Sequence, residues 1–370
     1  MKLKRALIEN FKGVRSCEID FASEPNAAPR RLTTLVGDNG SGKTTVLQAI
    51  ALTLSLATRR TRQPEDLRWH GFLAERISSL GPTRVELDIQ FEADEIAQTL
   101  SLYNEWFASR SIEWHQEHST VQPSDLSLVT LVFKDGRVQA KQGREAYFQF
   151  LGRYYIKILL GLKPALRSRF PKVGDIFWFD QHRNLGTRVP ENRRGEEPAV
   201  DVERDQRESW TAGVEQLRED LIAWWGYHTT PDRDQSRDYL ARLKEHFNVL
   251  FPGTDFAGIG TRDVPWARRG EFYFWFEREG RRFDLAELSS GEQAVFPLLS
   301  EFARLDIARS IVIIDELELH LHPPQQQALL GALRKLGPDC QFILTTHSPY
   351  LTEAIPDEEI VRLEGGRRCL

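Results

Sequence analysis

The feature that most constrains this chain is an octapeptide near its N-terminus, Gly37–Thr44, which reads Gly-Asp-Asn-Gly-Ser-Gly-Lys-Thr. It fits the pattern G-x-x-x-x-G-K-[ST], in which a glycine-rich backbone closes around phosphate groups. The residues before it, Leu32–Val36, have the character of a short buried strand, and apolar residues recur at helical spacing after it. A strand, a glycine-rich loop and a helix N-terminus in this order favour anion binding, because backbone N–H groups and the helix dipole both attract negative charge.

The residue types in this loop predict contacts with a nucleoside triphosphate. Lys43 should reach the β- and γ-phosphates, and the Thr44 hydroxyl should ligate Mg²⁺. The predicted nucleotide-binding residues are Gly37, Asn39, Gly40, Ser41, Gly42, Lys43, Thr44 and Thr45. The sequence therefore predicts a site for ATP and Mg²⁺.

Two later segments supply candidate catalytic groups. The apolar run Ile311–Ile314 ends in the carboxylates Asp315 and Glu316. If this run is a parallel strand beside Leu32–Val36, the strand before the glycine-rich loop (the P-loop), Asp315 would lie near Mg²⁺. Glu316 could then polarise the water that attacks the γ-phosphate. His347 follows another buried strand, Phe342–Thr345, and is predicted to contact the γ-phosphate and the attacking water.

A serine- and glycine-containing loop, Leu288–Gln293, precedes an apolar helix that we expect Pro297 to kink or shorten. Such a helix start is a second anion-binding N-terminus, although an ordinary helix cap would have the same sequence. Because the loop lies far from the P-loop along the chain, it need not approach the phosphates of its own chain.

At this point the sequence resembles the ATPase head of the ABC type. Five motifs follow one another in the order of that family, as P-loop, Q-loop, signature loop, Walker B strand and switch histidine: Gly37–Thr44, Gln181, Leu288–Gln293, Ile311–Glu316 and His347. The opening segment Ile8–Gly13 resembles that of the SMC/RecF branch. Asp315–Pro323 resembles the corresponding run of OLD-like ATPases, with Leu317 where that run usually has proline.

The resemblance implies a homodimer in which each ATP lies between the P-loop of one chain and the signature loop of the other. The signature contacts would come from Ser289, Ser290 and Gly291, with Ser289 on the opposite γ-phosphate. Gln181 would be both a catalytic residue and an Mg²⁺ ligand. The signature loop departs from L-S-G-G-Q at Ser290 and at Glu292, and this leaves the role of Glu292 open.

The predicted fold class is α/β, a P-loop NTPase head of the ABC type with a mixed central sheet, an antiparallel side sheet and a helical insertion. Helices are predicted around residues 95–107, 144–169, 210–224 and 240–250, hairpins at 128–141 and 272–285, and a mobile linker at 184–208. Four segments follow: an N-terminal lobe at 1–91, an insertion at 92–183, a linker with a helical subdomain at 184–281, and a C-terminal lobe at 282–370.

Composition excludes several classes. A net charge of −5 gives no global sign of a nucleic-acid binder, and local arginine pairs such as Arg59-Arg60 read as solvated faces. The three cysteines have no C-x-x-C spacing, which favours a reducing compartment over structural zinc. No signal peptide and no long apolar run is present, so a cytoplasmic protein without a membrane partner is expected.

The leading functional hypothesis is an ATP-gated dimer that senses or clamps DNA and controls a separate effector protein in bacterial anti-phage defence. It rests on the OLD-like run and on the short segment that follows Pro349. Two alternatives remain open. One is a scaffold that ATP locks around a protein partner through the tryptophan-rich helices near 210–250, and the other is a RecF-like ATPase of DNA recombination and repair.

Overall fold

The structure is a computed structural model that describes residues 1–22, 27–67, 69, 71–111, 113, 120–181, 214–261 and 272–363. Contacts divide the chain into two compact units. The first contains Met1–Asp180, Ile307–Leu317 and the segment that starts at Gly337, and the second contains Gln181–Asp306 and Glu318–Leu336. The four segments expected from the sequence stay a prediction, because these units group the chain by contacts and not by sequence order.

The P-loop belongs to a five-stranded parallel sheet in the first unit. Its strand order is β13-β3-β12-β11-β7. The strands are β3 Leu32–Val36, β7 Ile176–Phe179, β11 Ile311–Ile314, β12 Gln341–Thr345 and β13 Ile360–Arg362. All residues of β3, β7, β11 and β12 are buried, as expected for a sheet that is covered on both faces.

The strand that carries Asp315 is not the neighbour of the P-loop strand, so this part of the sequence prediction is wrong. Strand β12 lies between β3 and β11 and pairs with both. Sequence patterns identify strands, but their order depends on which crossover connections the chain makes. Because all strands of this sheet are parallel, their carboxyl ends still share one edge.

An antiparallel five-stranded sheet forms the other sheet of the first unit, in the order β2-β1-β4-β5-β6. Its strands are β1 Lys2–Phe11, β2 Val14–Asp20, β4 Arg84–Gln90, β5 Leu128–Lys134 and β6 Arg137–Ala140. The hairpin predicted at 128–141 and the α/β class with an antiparallel side sheet are confirmed. Parallel and antiparallel strands lie in separate sheets of this unit.

The helices of the first unit are α1 Lys43–Ala57, α2 Ala93–Ala108, α3 Arg144–Phe148, α4 Gly152–Leu159 and α9 Pro349–Ala354. Helices α2 and α4 share an aromatic cluster that includes Tyr103, Trp106 and Tyr155. The long helix expected at 144–169 is interrupted by 3₁₀ turns, one of which carries Pro164 at its start. Proline favours the first turn of a helix and cannot continue one.

In the arginine pair after α1, Arg59 is exposed, but Arg60 does not belong to a solvated face. Arg60 is buried, and its Nε lies 3.0 Å from a carboxylate oxygen of buried Asp175. The Arg60 guanidinium also stacks over Phe177, 4.3 Å from the ring centroid. Local charge density cannot distinguish a surface arginine from one whose partner comes from a distant strand.

In its described residues, the second unit combines four helices with a three-stranded antiparallel sheet, in the order β10-β9-β8. The elements are α5 Val214–His228, α6 Tyr239–Leu250, β8 Thr254–Thr261, β9 Phe272–Arg278, β10 Arg281–Asp284, α7 Ser290–Leu305 and α8 Pro323–Leu336. The predicted helices and the β9–β10 hairpin are confirmed, whereas sequence patterns missed β8. Helix α7 runs through Pro297 to Leu305, so that proline does not shorten it.

Several predictions lie outside the described residues. The linker expected at 184–208 is one of them, and the arginine pairs at 193–194, 268–269 and 367–368 are others. Within the described part of the chain, no helix is both long enough and apolar enough to cross a membrane.

Candidate functional site

The P-loop joins the end of β3 to the start of α1. Gly40 and Gly42 have φ values of +80° and +91°, which favour glycine because a Cβ would clash in that conformation. A Cβ on Gly37 would lie 2.5 Å from the Leu363 carbonyl oxygen and 2.8 Å from Ser41 Oγ. The loop therefore needs its glycines both for backbone conformation and for close approach.

Two side chains in the loop fit a phosphate ligand. The Lys43 ammonium donates to the carbonyl oxygens of Gly37, at 2.8 Å, and Asp38, at 2.9 Å, across the loop. Ser41 is buried, and its Oγ has no hydrogen-bond partner among the described residues. Buried polar atoms are normally satisfied, so an orphaned hydroxyl in a glycine-rich loop fits a ligand oxygen.

The antiparallel sheet closes over the same loop. A Cβ on Gly42 would lie 3.1 Å from the Val14 side chain. In the turn before Val14, Lys12 donates to Gln48 of α1 at 2.8 Å and to the Gly71 carbonyl at 2.6 Å. Burial lowers the pKa of the Lys12 ammonium. The opening segment that resembles the SMC/RecF branch is thus packed against the P-loop helix.

Asp315 is the centre of the site. It is buried at the end of β11, and it accepts hydrogen bonds from the Thr44 hydroxyl at 2.9 Å and the Thr345 hydroxyl at 2.6 Å. Thr44 and Asp315 are the two predicted Mg²⁺ ligands that the fold brings together. A hydroxyl and a carboxylate present the hard oxygen donors that Mg²⁺ prefers, so these residues fit that ion.

Glu316 occupies a strained backbone position beside Asp315. Its φ is +49°, an uncommon value for a residue with a side chain. Its N–H donates to Thr345 Oγ1 at 2.7 Å, and the next residue, Leu317, donates its N–H to the Thr345 carbonyl at 3.2 Å. Strain of this kind costs about 1–3 kcal/mol and persists where the surroundings enforce it.

Thr345 was not among the residues predicted from the sequence, although it lies two residues before His347. One hydroxyl donates to Asp315 and accepts from the Glu316 backbone, so it fixes the Asp315 carboxylate and the Glu316 backbone. The signal was a polar residue at the end of an apolar strand, a position where β-branched threonine also fits the strand itself. Only the pairing of β12 with β11 gives that residue its role.

The other predicted residues of the first unit lie around the same edge of the sheet. His347 is exposed and follows β12 by two residues. Asn39 and Gly40 are exposed at the tip of the loop, and Thr45 is half-buried in the first turn of α1. Their contacts with a nucleotide stay predictions.

Gln181 and the signature residues belong to the second unit. Gln181 is half-buried and comes two residues after the last residue of β7. Ser289 caps α7 in a reciprocal capping box with Glu292, while Ser290 and Gly291 are its first two residues. A Cβ on Gly291 would lie 3.0 Å from the His320 carbonyl oxygen, so the signature loop packs on the segment that follows the acidic strand. His320 and His322, which belong to the OLD-like run Asp315–Pro323, are exposed.

Comparison with known proteins agrees with this geometry. Residues 1–133 match a family described as an AAA ATPase domain. Residues 176–353 match one described as an AAA domain, putative AbiEii toxin, Type IV TA system. The two matches contain the P-loop and the Asp315–Glu316 pair respectively. These motifs, their geometry and both matches define the class: the chain is a P-loop ATPase, and the order of its motifs resembles that of ABC-type heads of the SMC/RecF-like branch.

Within that class, the chain is similar over most of its length to two curated proteins. The Retron Vc95 probable ATPase of Vibrio cholerae is 22% identical, across 90% of this chain and 69% of that protein. The DNA replication and repair protein RecF of Geobacter metallireducens is 25% identical, across 94% of this chain and 93% of that protein. A solved SMC head bound to the C-terminal winged-helix domain of ScpA aligns over 98% of this chain and 94% of its own, at 14% identity and a TM-score of 0.48.

Proposed function

We propose that this ATPase works as an ATP-gated homodimer that senses or clamps DNA and controls a separate effector protein in bacterial anti-phage defence. The observation that carries the ATP-dependent part is the contact between Thr44 and Asp315, which joins the P-loop to the acidic strand. Sequence separates these residues by 271 positions, and nucleotide hydrolysis needs both at one metal ion.

In this proposal, ATP lies along Gly37–Thr45, with Lys43 on its phosphates and Mg²⁺ held by Thr44, Asp315 and Gln181. A magnesium ion bound by these residues would neutralise the charge that develops on the phosphates during transfer. Glu316 accepts the proton of the attacking water, and His347 orients that water and the γ-phosphate. The threonine network supports these roles, because it fixes the backbone of Glu316 and the carboxylate of Asp315.

The dimer follows from the signature loop. Ser289, Ser290 and Gly291 of a second copy complete the site, and their helix N-terminus faces the γ-phosphate. The capping box supports this assignment, since it presents the Ser289 hydroxyl at the first turn of a sixteen-residue helix. ATP then connects two chains, and hydrolysis removes that connection.

The setting rests on the relatives. Similarity to a retron ATPase over 90% of this chain supports the defence role. DNA is proposed as the signal on the similarity to RecF, which is named for replication and repair.

The central experiment replaces Glu316 with glutamine in the full chain. We expect ATP binding to persist, turnover to fall by about 10²–10⁴-fold through loss of the general base, and the ATP-bound dimer to accumulate. The matched control is Glu353→Gln, an exposed carboxylate on α9, which should leave turnover unchanged. Normal turnover in the Glu316 variant overturns the mechanism.

RecF-like DNA repair is the second candidate, and the similarity to RecF over nearly the whole of both chains favours it. Both readings predict DNA-stimulated ATPase activity and salt-dependent DNA binding. They differ in the partner, so purification of the chain from its host should yield a toxic effector under the defence proposal. ATP turnover that does not change when DNA is added would favour an ATP-locked scaffold.

A further inference from the structure

Glu292 is a buried carboxylate inside the signature loop. It stands where the L-S-G-G-Q signature motif has a neutral glutamine. Only 3% of the surface of Glu292 is exposed. One carboxylate oxygen, Oε2, accepts hydrogen bonds from the Ser289 N–H at 2.8 Å and from the Ser289 hydroxyl at 2.7 Å. The Ser289 hydroxyl therefore donates its hydrogen bond to Glu292.

The other oxygen of Glu292 is held by an arginine from the three-stranded sheet. Arg278, the last residue of β9, pairs with Oε1 of Glu292 through its Nη2. The same guanidinium donates to Thr254 Oγ1 of β8 from Nε at 2.8 Å and from Nη2 at 2.5 Å. Arg278 also lies over the Phe283 ring, 5.5 Å from its centroid. Its position is thus fixed from β8, β10 and α7 together.

This arrangement has an electrostatic consequence for an incoming phosphate. An uncompensated carboxylate at the start of α7 would repel a phosphate and would occupy the partial positive charge of the helix N-terminus. Arg278 cancels that charge. Ser289 can then rotate its hydroxyl from a neutralised carboxylate to a phosphate oxygen, while its backbone N–H keeps the capping bond to Glu292.

We propose that Arg278 is a positioning residue for the signature loop, which neutralises Glu292 and frees the Ser289 hydroxyl to bind the γ-phosphate held by a second copy of the chain. This inference rests on the composite site proposed above. It assigns the β8–β9–β10 sheet a direct part in nucleotide-dependent dimer formation, because Arg278 is held by that sheet. If Arg278 only stabilised the fold, its contacts would be needed, but its positive charge opposite Glu292 would not.

The test is a double-mutant cycle on nucleotide-dependent dimer formation, measured by sedimentation of the full chain with Mg²⁺ and a non-hydrolysable ATP analogue. Arg278→Met should weaken the dimer about tenfold or more, as expected for the loss of a close charge partner. The same substitution on a Glu292→Gln background should weaken it less than about twofold, because glutamine keeps the capping box without a charge. Equal weakening on both backgrounds, or none on either, overturns the inference.

Two further variants keep the result interpretable if Arg278→Met folds poorly. Arg278→Lys retains the charge and should dimerise within about threefold of the unmodified chain, since the charge and not the fork geometry is required. A defect as large as that of Arg278→Met would overturn the inference. The matched control is Arg282→Met on β10, where an exposed arginine pairs with Glu277 at 3.2 Å, and no change is expected.

Ser289→Ala separates this inference from the proposed function. If Ser289→Ala leaves nucleotide-dependent dimer formation intact, the composite site itself fails. If Ser289→Ala weakens the dimer and Arg278→Met does not, the composite site stands and only the role of Arg278 is overturned. Absence of any nucleotide-dependent dimer in the unmodified chain overturns both.

Discussion

The Thr44 hydroxyl donates a hydrogen bond of 2.9 Å to the Asp315 carboxylate, although the two residues lie 271 positions apart. This contact forms across a strand, because β12 separates β3 from β11. It is possible because Thr44 lies in the first turn of α1, after the loop that follows β3, and so reaches past its own strand. The contact links the two halves of the sequence that family comparison matches separately.

The first prediction concerns Thr345, whose hydroxyl joins Asp315 to the Glu316 backbone. Thr345→Val should destabilise the fold by about 1–3 kcal/mol, because it leaves a buried donor and a buried carboxylate less satisfied. It should also lower ATP turnover more than ATP affinity. Chemical denaturation and steady-state kinetics measure the two effects.

The control for that substitution is Thr33→Val on β3. The Thr33 hydroxyl is buried and has no hydrogen-bond partner among the residues that the structure describes. Its replacement by a methyl group should be neutral or stabilising. Similar losses for Thr33→Val and Thr345→Val would contradict the assigned network.

The second prediction concerns the left-handed backbone of Glu316, at φ +49°. Glycine adopts this conformation without strain, so Glu316→Gly should be about 1 kcal/mol more stable than Glu316→Gln. Both variants should lose hydrolysis, because each lacks the carboxylate. Denaturant titration of the two variants side by side tests the expectation, and a less stable glycine variant would argue against strain at this position.

The third prediction concerns the tight packing of the P-loop backbone at Gly37 against neighbouring atoms. A Cβ there would meet the Leu363 carbonyl and Ser41 Oγ, so Gly37→Ala should cost about 1–3 kcal/mol through overpacking and should abolish ATP binding. Gly161→Ala is the control, because a Cβ at Gly161 meets no atom within 4 Å. Thermal unfolding and nucleotide titration measure both effects, and an unimpaired Gly37→Ala variant would contradict the described loop geometry.

The fourth prediction concerns the buried pair of Arg60 and Asp175. Arg60→Met should destabilise the fold by about 3–5 kcal/mol, because it leaves Asp175 buried without its nearest cation. Arg76→Met, at an exposed position, should have little effect. Urea titration distinguishes the two, and equal stability of the variants would refute the role of the pair.

The same pair predicts a pH dependence. Burial raises the pKa of Asp175, but the charges of Arg60, Arg153 and Lys157 outweigh it and hold the pKa below its usual 3.8. A carboxyl with a depressed folded-state pKa stabilises the fold above its unfolded pKa, and this contribution falls as pH drops below 3.8 toward the folded value. Asp175→Asn does not titrate, so its stability deficit should narrow below pH 3.8. A deficit that stays constant across that range would contradict the assignment.

Much of the candidate site was predictable because its signals are local. The glycines and the lysine of Gly37–Thr44 are close together along the chain. The strand that precedes Asp315 is recognisable as buried from its four consecutive apolar residues. The role of Thr345 was not predictable on the same basis, because its hydrogen bonds to Asp315 and to the Glu316 backbone depend on the neighbouring strand. Glu292 was visible as a departure from the family pattern, but its partner Arg278 lies on a strand that precedes it by a turn and a second strand.

The sequence by itself determined the P-loop, the acidic strand, the capping signal at Ser289 and the α/β class, because each depends on residues that are close along the chain. The tertiary structure decided the order of the parallel strands, the burial of Arg60 and the contacts that join Thr44, Asp315 and Thr345. The physical reason is that propensity and hydrophobic period are local, whereas a hydrogen bond or an ion pair depends on which distant segment the fold places beside it.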